Sequence, residues 1–153
     1  MGNCDIKHVG KWRFPRKVFS YERDVTLKQT NAFGNTYFAN YIEWQGEARE
    51  KFLLQHPDTL IYLKTNPHIV LITCCVYHRY IENTFFGDCV RIEVGSRDIL
   101  KYSFVLVFRY FNKANGRWIG EGWQKVCFRN IKTSLICEIP QLILDLIEPV
   151  LIK

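Results

Sequence analysis

The chain contains 153 residues, of which 48% are hydrophobic and 15% are aromatic, so it has the length and apolar content of one domain with a single core. The 21 lysine and arginine residues exceed the 15 aspartate and glutamate residues, which favours an anionic partner without naming it. The longest apolar stretches, at residues 69–77 and 102–108, are shorter than the roughly 20 residues of a membrane span, and no basic-then-apolar leader opens the chain. We therefore expect a cytoplasmic protein without a membrane span.

Residues 1–16 are predicted to form a basic N-terminal arm. Residues 1–28 hold seven basic and three acidic side chains, so most of the excess positive charge lies there. Trp12, Phe14 and Phe19 are interspersed with these charges, as in a nucleic-acid or membrane contact. The same pattern is typical of an arm whose rings pack on the domain while its charges stay in water. We favour the second interpretation, and a nucleic-acid partner is not expected.

A strand, a turn and a helix are predicted next. Side chains alternate in polarity over residues 17–28, which indicates a β-strand, and Asn and Gly break this pattern in residues 29–35. Good helix formers fill residues 40–55, where Asn40 is a candidate N-cap. Four apolar or small residues recur there at helical spacing: Tyr41, Trp44, Ala48 and Phe52.

The remainder of the chain predicts four strands and one more helix. After a linker near residues 64–67, the strand-like segments are residues 69–80, 88–95, 101–111 and 117–128. Asn115-Gly116 lies between the last two, and this dipeptide is a strong hairpin signal. An amphipathic stripe over residues 139–150 predicts a helix within a C-terminal segment at residues 138–153. Residues 17–137 are therefore predicted to form the main domain.

Residues 102–108 are apolar on both strand parities. In an antiparallel sheet this pattern indicates that both faces are covered. One helix covers one face, so we expect a second subunit on the other, in a homodimer or homotetramer.

The six cysteines have no Cys-x-x-Cys spacing, which favours reduced thiols in a cytosolic protein. The four histidines make no metal-ligand spacing with them, and no metal site is expected. Cys74 and His78 share strand parity, but an extended chain separates them by roughly 13 Å. Core packing is therefore the favoured interpretation for this pair.

One motif resembles a known family. Residues 30–41 read Thr-Asn-Ala-Phe-Gly-Asn-Thr-Tyr-Phe-Ala-Asn-Tyr, and Trp44-Gln45-Gly46 and Arg49 follow. This run resembles the hotdog-fold thioesterases of the 4-hydroxybenzoyl-CoA thioesterase superfamily, whose signature has an Asp three residues before a Gly and an Asn-Tyr pair at the start of the central helix. Asn31 stands where that Asp would be. An Asn there, with Gly34-Asn35 and the helix residues, is similar to the enediyne polyketide thioesterase branch.

The resemblance covers roughly residues 23–130 and implies an α+β hotdog fold. In that fold a long central helix is wrapped by a five-stranded antiparallel sheet, here with an extra C-terminal helix. It also implies hydrolysis of an acyl thioester carried by coenzyme A or an acyl carrier protein, with β-ketoacyl and polyketide chains among the candidates and no cofactor. The catalytic residues it implies are Asn31, Tyr41 and Arg49. The residues it places near the substrate are Gly34, Asn35 and Asn40.

The residue types limit what this site can do. An amide at position 31 cannot act as a nucleophile or base, so Asn31 is predicted to position a water. The helix N-terminus near Asn40 and Tyr41 is predicted to polarise the thioester oxygen. Lys125 and Arg129 are candidates for binding the phosphates of coenzyme A or an acidic carrier protein, and are equally compatible with a solvent-facing role.

Three alternatives remain open. Glu43, Glu47 and Glu50 include a candidate carboxylate, although a solvated helix face is the favoured interpretation, with Glu47 and Lys51 as a surface pair. A non-catalytic acyl-thioester-binding protein is the main functional alternative, because the usual Asp is absent. A dehydratase is disfavoured, since residues 29–55 contain no histidine to pair with a carboxylate.

Overall fold

The structure is a computed structural model that describes residues 13–153. Its strands are β1 (Phe19–Asp24), β2 (Ile69–Tyr80), β3 (Cys89–Arg97), β4 (Ser103–Asn112), β5 (Trp118–Asn130) and β6 (Ile136–Cys137). Its helices are α1 (Ala39–Leu53), α2 (Thr59–Thr65) and α3 (Gln141–Ile147). The strands form one antiparallel sheet in the order β1-β3-β4-β5-β2, and β6 pairs with β5.

The predicted elements are present, and two more accompany them. Helix α2 and the two-residue strand β6 lie in segments predicted as connections. The Thr59 hydroxyl donates a 2.7 Å hydrogen bond to the carbonyl of Leu53, which ties the start of α2 to the end of α1. Helix α2 has only seven residues, too few for a periodic pattern to stand out in the sequence. Within residues 13–153, the fold therefore has a six-stranded sheet, one strand more than predicted, and three α-helices.

Helix α1 forms the centre of the core. Tyr41, Trp44, Ala48 and Phe52 are at most 3% exposed, which confirms the predicted apolar face. They pack with inward-facing residues of β3, β4 and β5 in one cluster. Because neighbouring side chains of a strand point to opposite faces, the inner face of β5 carries its even-numbered residues, including Gln124, which contacts α1.

The prediction of Asn40 as N-cap is wrong. The helix begins at Ala39, with Phe38 at the N-cap position. The side-chain amide of Asn40 instead donates hydrogen bonds to the carbonyls of Gln29 (3.0 Å) and Tyr37 (3.1 Å). Asn40 therefore fastens the preceding loop to the helix.

The C-terminal segment is part of the same core. Ile143, Ile147 and Val150 belong to the cluster that contains α1, and the Ser96 hydroxyl donates a hydrogen bond to the carbonyl of Ile147. Residue Leu151 then forms a parallel bridge with Ser96. The predicted amphipathic stripe thus packs within this chain.

The outer face of the sheet is partly covered by the chain itself. Val105 and Val107 of β4 are at most 2% exposed, and they cluster with Trp123 and Ile152. The ring of Phe14 lies 3.6 Å from the Arg109 guanidinium on this face. Contacts within the chain therefore account for the apolar pattern of residues 102–108. This pattern does not require a second subunit, contrary to the inference drawn from it in the sequence.

Phe14 packs on the sheet as expected for the arm, whereas Trp12 and the basic residues before it lie outside the described residues. No helix within residues 13–153 is long and apolar enough to cross a membrane.

Ile147→Ala tests the contribution of the C-terminal segment to the core. Ile147 is 0% exposed, so the truncation leaves a cavity, and the free energy of unfolding should fall by about 2–5 kcal/mol. Urea denaturation measures this quantity. Leu135, which is 67% exposed, is the matched control, and Leu135→Ala should change it by less than about 0.5 kcal/mol. Equal effects of the two substitutions would contradict the packing described here.

Candidate active site

A tight turn precedes α1. The Asn31 side-chain oxygen accepts a hydrogen bond from the N–H of Phe33 (2.9 Å), and the Gly34 N–H donates to the Asn31 carbonyl (2.9 Å). Gly34 has φ +84°, a conformation that glycine adopts without strain. The turn interpretation and the site interpretation of Asn31 are thus compatible. Its side-chain nitrogen and the second lone pair of its oxygen have no acceptor or donor among residues 13–153.

Hydrogen bonds join this turn to the loop after β2. The Asn35 side-chain nitrogen donates to the Asn83 oxygen (3.0 Å). The hydroxyls of Thr36 and Thr84 lie 2.7 Å apart, and the Tyr41 hydroxyl lies 2.9 Å from that of Thr84. Thr84 is fully buried. The ring of Tyr41 is therefore fixed through its hydroxyl at the start of α1.

The first turn of α1 has two unused backbone donors. The N–H groups of Asn40 and Tyr41 donate to the carbonyls of Tyr37 (3.0 Å) and Phe38 (3.3 Å), so they are not free to polarise a substrate. The N–H groups of Phe38 and Ala39 have no acceptor among residues 13–153. The N–H groups available at the positive end of the helix dipole therefore lie two residues before the predicted pair.

A cavity of about 220 Å³ lies at this helix start. We call it the helix-start cavity. Its lining includes the predicted residues Asn31, Asn35 and Tyr41, and also Glu82. Glu82 contributes the cavity's carboxylate and is held by Arg117 at 2.6 Å. Sequence reasoning missed Glu82 because it lies 51 positions from Asn31, outside the motif, and only the fold brings the two together.

A row of polar side chains runs from this cavity along α1. Tyr41, Gln45 and Arg49 are four residues apart and so lie on one side of the helix. We call them the polar seam. Gln45 is 0% exposed, and its amide nitrogen donates to the carbonyl of Tyr77 (3.0 Å) and to Nδ1 of His78 (3.2 Å). The seam therefore attaches α1 to β2.

His78 is a half-buried neutral imidazole that accepts a hydrogen bond from this seam. Burial lowers its pKa from 6.5 to about 4, and its ring lies 5.3 Å from Tyr41 and 4.8 Å from Tyr110. With Nδ1 accepting from Gln45, the proton resides on Nε2, which is buried without a hydrogen-bond partner in the described chain. The prediction of core packing for His78 agrees with its burial, while Cys74 of the same strand is exposed.

Arg49 lies at the far end of the seam. Its guanidinium donates to the Thr73 hydroxyl (2.7 Å) and to the Gln124 side-chain oxygen (3.0 Å). Both partners are neutral, and burial lowers the pKa of Arg49. Its Nε is buried without a partner among residues 13–153. A partly buried cation with neutral partners retains the capacity to bind an anionic or strongly polar ligand group.

Arg49 also borders a second cavity, of about 290 Å³, which we call the apolar cavity. Helices α1, α2 and α3 and strands β2 and β5 contribute to its wall, which includes Leu53, Tyr62, Leu71, Phe128 and Ile143. The structure therefore does not bring Arg49 into the same cavity as Asn31 and Tyr41. Tyr41 borders one cavity and Arg49 the other, and the fully buried Gln45 lies between them.

The remaining charged candidates lie outside the helix-start cavity. Lys125 and Arg129 have the opposite strand parity to Gln124, so they face away from α1 and do not join either cavity. Glu47 accepts hydrogen bonds from the Tyr21 hydroxyl (2.9 Å) and from Arg23, in place of the expected surface pair with Lys51. Glu43 and Glu50 are exposed, and Glu50 borders the apolar cavity beside Arg49, where its charge partly opposes the lowering of the Arg49 pKa by burial. Among residues 13–153, no three His, Cys, Asp or Glu side chains cluster as a metal site.

Known proteins share this sequence and architecture. A model of the thioesterase-like superfamily matches residues 25–147. A 1,4-dihydroxy-2-naphthoyl-CoA hydrolase of Prochlorococcus marinus (strain NATL2A) is 30% identical over 115 residues, 71% of this chain and 73% of that protein.

Two solved structures have the same fold. The dynemicin thioesterase, whose crystal structures reveal induced-fit and allosteric effects upon polyene binding, superposes with a TM-score of 0.81 at 23% identity, over 88% of this chain and 98% of that chain. A 1,4-dihydroxy-2-naphthoyl-CoA thioesterase from Synechocystis superposes with a TM-score of 0.79 at 17% identity, over 86% of this chain and 96% of that chain. The predicted hotdog fold is confirmed.

The burial of His78 predicts a pH dependence of stability. The unfolded chain binds a proton at a pKa near 6.5 and the folded chain near 4, so the free energy of unfolding should decrease as the pH falls from 6.5 to 4, by about 2–3 kcal/mol from this group. Urea denaturation of wild type and His78→Gln at pH 7 and pH 4.5 isolates the effect, because other groups titrate in both. Equal losses in the two proteins would show that His78 is not the source.

Proposed function

Because the chain belongs to the thioesterase-like superfamily, we propose that it is an acyl thioesterase that hydrolyses its substrate in the helix-start cavity. The observation that carries the proposal is the set of groups at this cavity: the Asn31 amide, the Glu82 carboxylate and the unused N–H groups of the first helical turn. Thioester hydrolysis needs donors for the carbonyl oxygen, an acceptor for a water proton and a surface that holds the acyl group.

The carbonyl oxygen binds to the N–H groups of Phe38 and Ala39. As water attacks the carbonyl carbon, negative charge develops on this oxygen, and these donors together with the helix dipole stabilise it. The Asn31 side-chain nitrogen supplies a further donor, and the free lone pair of its oxygen orients the water. In this mechanism Asn31 positions the attacking water, as proposed from the sequence.

Glu82 accepts the proton of the attacking water. Collapse of the tetrahedral intermediate then breaks the carbon–sulfur bond, and the leaving thiolate takes up the proton held by Glu82, which gives the free thiol and restores the carboxylate. Arg117 holds the Glu82 carboxylate in place. Tyr41 positions the site through its hydroxyl bond to Thr84, and Gly34, Asn35 and Asn40 shape the entrance through the turn and its bonds.

The acyl chain reaches Arg49 and the apolar cavity only if side chains between α1 and β2 move apart, because Gln45 is fully buried between the two cavities. An acyl group with a polar substituent, such as a β-keto oxygen, places that substituent at the Arg49 guanidinium and its hydrocarbon part against the apolar wall. A coenzyme A thioester is the first candidate substrate, because the Prochlorococcus relative carries the name of a CoA hydrolase. A polyketide chain on an acyl carrier protein is the second, in keeping with the likeness to the dynemicin thioesterase.

We further propose that the working form is a homodimer or a homotetramer. Strand β2 is an edge of the sheet and has 12 residues, a length at which unpaired backbone groups favour pairing with another strand. Phe33, Phe38, Phe85 and Phe86 are 51–91% exposed near the helix-start cavity, which is typical of surfaces that another chain covers. Lys125 and Arg129 face away from both cavities. They would contact a substrate's phosphates only if the substrate was bound by a neighbouring subunit or if its phosphates lay on the outer face of the sheet.

The alternative is a non-catalytic protein that binds acyl thioesters in the same cavities. It is favoured by one observation, the amide at position 31 in place of the family's usual carboxylate. A thioesterase releases free thiol from an acyl thioester, whereas a binding protein does not.

Arg49→Ala tests the proposed acyl site. Loss of the guanidinium should lower kcat/KM for acyl-CoA hydrolysis at least about tenfold, because a partly buried polar contact to the acyl group is removed. Free thiol released from a panel of acyl-CoA substrates, with mass spectrometry of the acid, measures the effect. Lys51→Ala, an exposed cation of the same helix, should leave it unchanged. Equal background rates in wild type and Arg49→Ala, with binding retained, would overturn hydrolysis in favour of the binding alternative.

Glu82→Gln tests the proposed proton acceptor. The amide keeps the size of the side chain but cannot accept the proton of water, so kcat should fall about 100-fold or more while KM changes little. Glu43→Gln, at an exposed position of α1, is the matched control and should retain full activity. A Glu82→Gln enzyme with the kcat of wild type would remove Glu82 from the mechanism.

A further inference from the structure

Two cysteines outside the proposed active site lie side by side on the sheet. The Sγ atoms of Cys74 in β2 and Cys127 in β5 are 3.5 Å apart, although the residues are 53 positions apart in sequence. Both are free thiols. A disulfide bond needs an S–S distance of about 2.05 Å, so closing it requires a movement of roughly 1.5 Å. The fold has therefore already brought the two thiols together.

The local backbone can accommodate this movement. The pairing of β2 with β5 shifts register between Thr73 and Cys75, which leaves Cys74 as the extra residue of a β-bulge. Bulges occur at sheet edges and disrupt the ladder locally. Because β2 is an edge strand, Cys74 is bound less rigidly by strand pairing than Cys127, which lies in β5 between β4 and β2.

The two thiols differ in exposure. Cys74 is exposed, whereas Cys127 is only 6% exposed. Burial raises the pKa of Cys127 to about 11, and the adjacent Cys74 thiol adds to this rise. Cys127 is therefore protonated at neutral pH. Since the thiolate is the reactive form, solvent-borne oxidants react first at Cys74, and Cys127 is placed to react second.

We propose that Cys74 and Cys127 are an oxidation site, which forms a reversible intramolecular disulfide bond in the presence of a peroxide. The Cys74 thiolate attacks one oxygen of hydrogen peroxide, the O–O bond breaks, and Cys74 becomes a sulfenic acid as water leaves. The sulfur of Cys127 then attacks the Cys74 sulfur, and a second water leaves with the proton of Cys127. Two thiols are oxidised, and one peroxide is reduced to two waters.

The cross-link would change the edge of the sheet at a defined place. It ties the bulge of β2 to β5 directly beside Thr73, whose hydroxyl accepts the hydrogen bond of Arg49. It also closes a loop between positions 74 and 127, and this loop contains strands β3 and β4. A loop of this length reduces the entropy of the unfolded chain, so the oxidised protein should be more stable than the reduced one.

Peroxide treatment of the full chain tests the proposal. Wild type exposed to stoichiometric hydrogen peroxide should lose two free thiols, yield a peptide that joins Cys74 to Cys127 on non-reducing mass mapping, and gain roughly 5 °C or more in Tm. Dithiothreitol should reverse all three changes. Loss of thiols through another pairing, through a disulfide between two chains, or with no cross-link at all would overturn the proposal.

Single substitutions assign the two steps. Cys127→Ser should stop oxidation at a Cys74 sulfenic acid, which dimedone traps, whereas Cys74→Ser should abolish both the cross-link and dimedone labelling at this site. Cys75→Ser changes the next residue of the strand and is the matched control, so its cross-link should form as in wild type. A cross-link that depends on Cys75, or dimedone labelling of Cys127 in Cys74→Ser, would contradict the proposed order.

Discussion

The arrangement of this molecule depends on the hydrogen bonds of the buried Gln45 amide. A fully buried polar side chain is costly unless it forms hydrogen bonds, and this one uses both amide hydrogens on β2, one on the Tyr77 carbonyl and one on His78. The amide can approach so closely because the facing residue of β5 is a glycine. A Cβ on Gly122 would overlap the amide nitrogen of Gln45 and lie 2.5 Å from the Tyr77 carbonyl oxygen. The distance between α1 and the edge strand is thereby fixed.

This contact also accounts for the chemistry of its neighbours. Because Nδ1 of His78 accepts a hydrogen bond from Gln45, the His78 ring packs against Tyr41 and Tyr110. Burial keeps the ring neutral at physiological pH. The Tyr110 hydroxyl donates to the backbone carbonyl of Tyr41 (2.8 Å), which couples β4 to the first turn of α1. Tyr41 is thus anchored through its hydroxyl and its carbonyl, while the unused N–H groups of Phe38 and Ala39 lie at the exposed start of the helix.

Periodicity and motif predicted the parts of this protein that depend on local pattern. The apolar face of α1 and the strand at Phe19–Asp24 could be read because burial imposes a period of 3.6 or 2 residues on the side chains. Glu82 and Gln45 could not, since neither belongs to an apolar period and their positions are set by contacts between distant segments. Asn40 was misassigned as a cap because an amide before a helix suits both roles, and the choice depends on the carbonyls of Gln29 and Tyr37, which only the folded loop presents. The turn around Asn31 was predictable, since its Asn and Gly residues favour such a turn whatever the rest of the fold.

The separation of the two cavities bears on what a substrate must be. Tyr41 and Arg49 are eight residues apart on one helix, which corresponds to about 12 Å along its axis. A ligand that places a reacting carbonyl at the helix start and a polar substituent at Arg49 must span a comparable distance, and side chains between α1 and β2 must move to admit its middle, because Gln45 is fully buried there. A short acyl group would occupy the helix-start cavity alone and gain nothing from Arg49. Dependence on Arg49 should therefore increase with acyl length, so the chain length at which it appears reports the length of the natural acyl group.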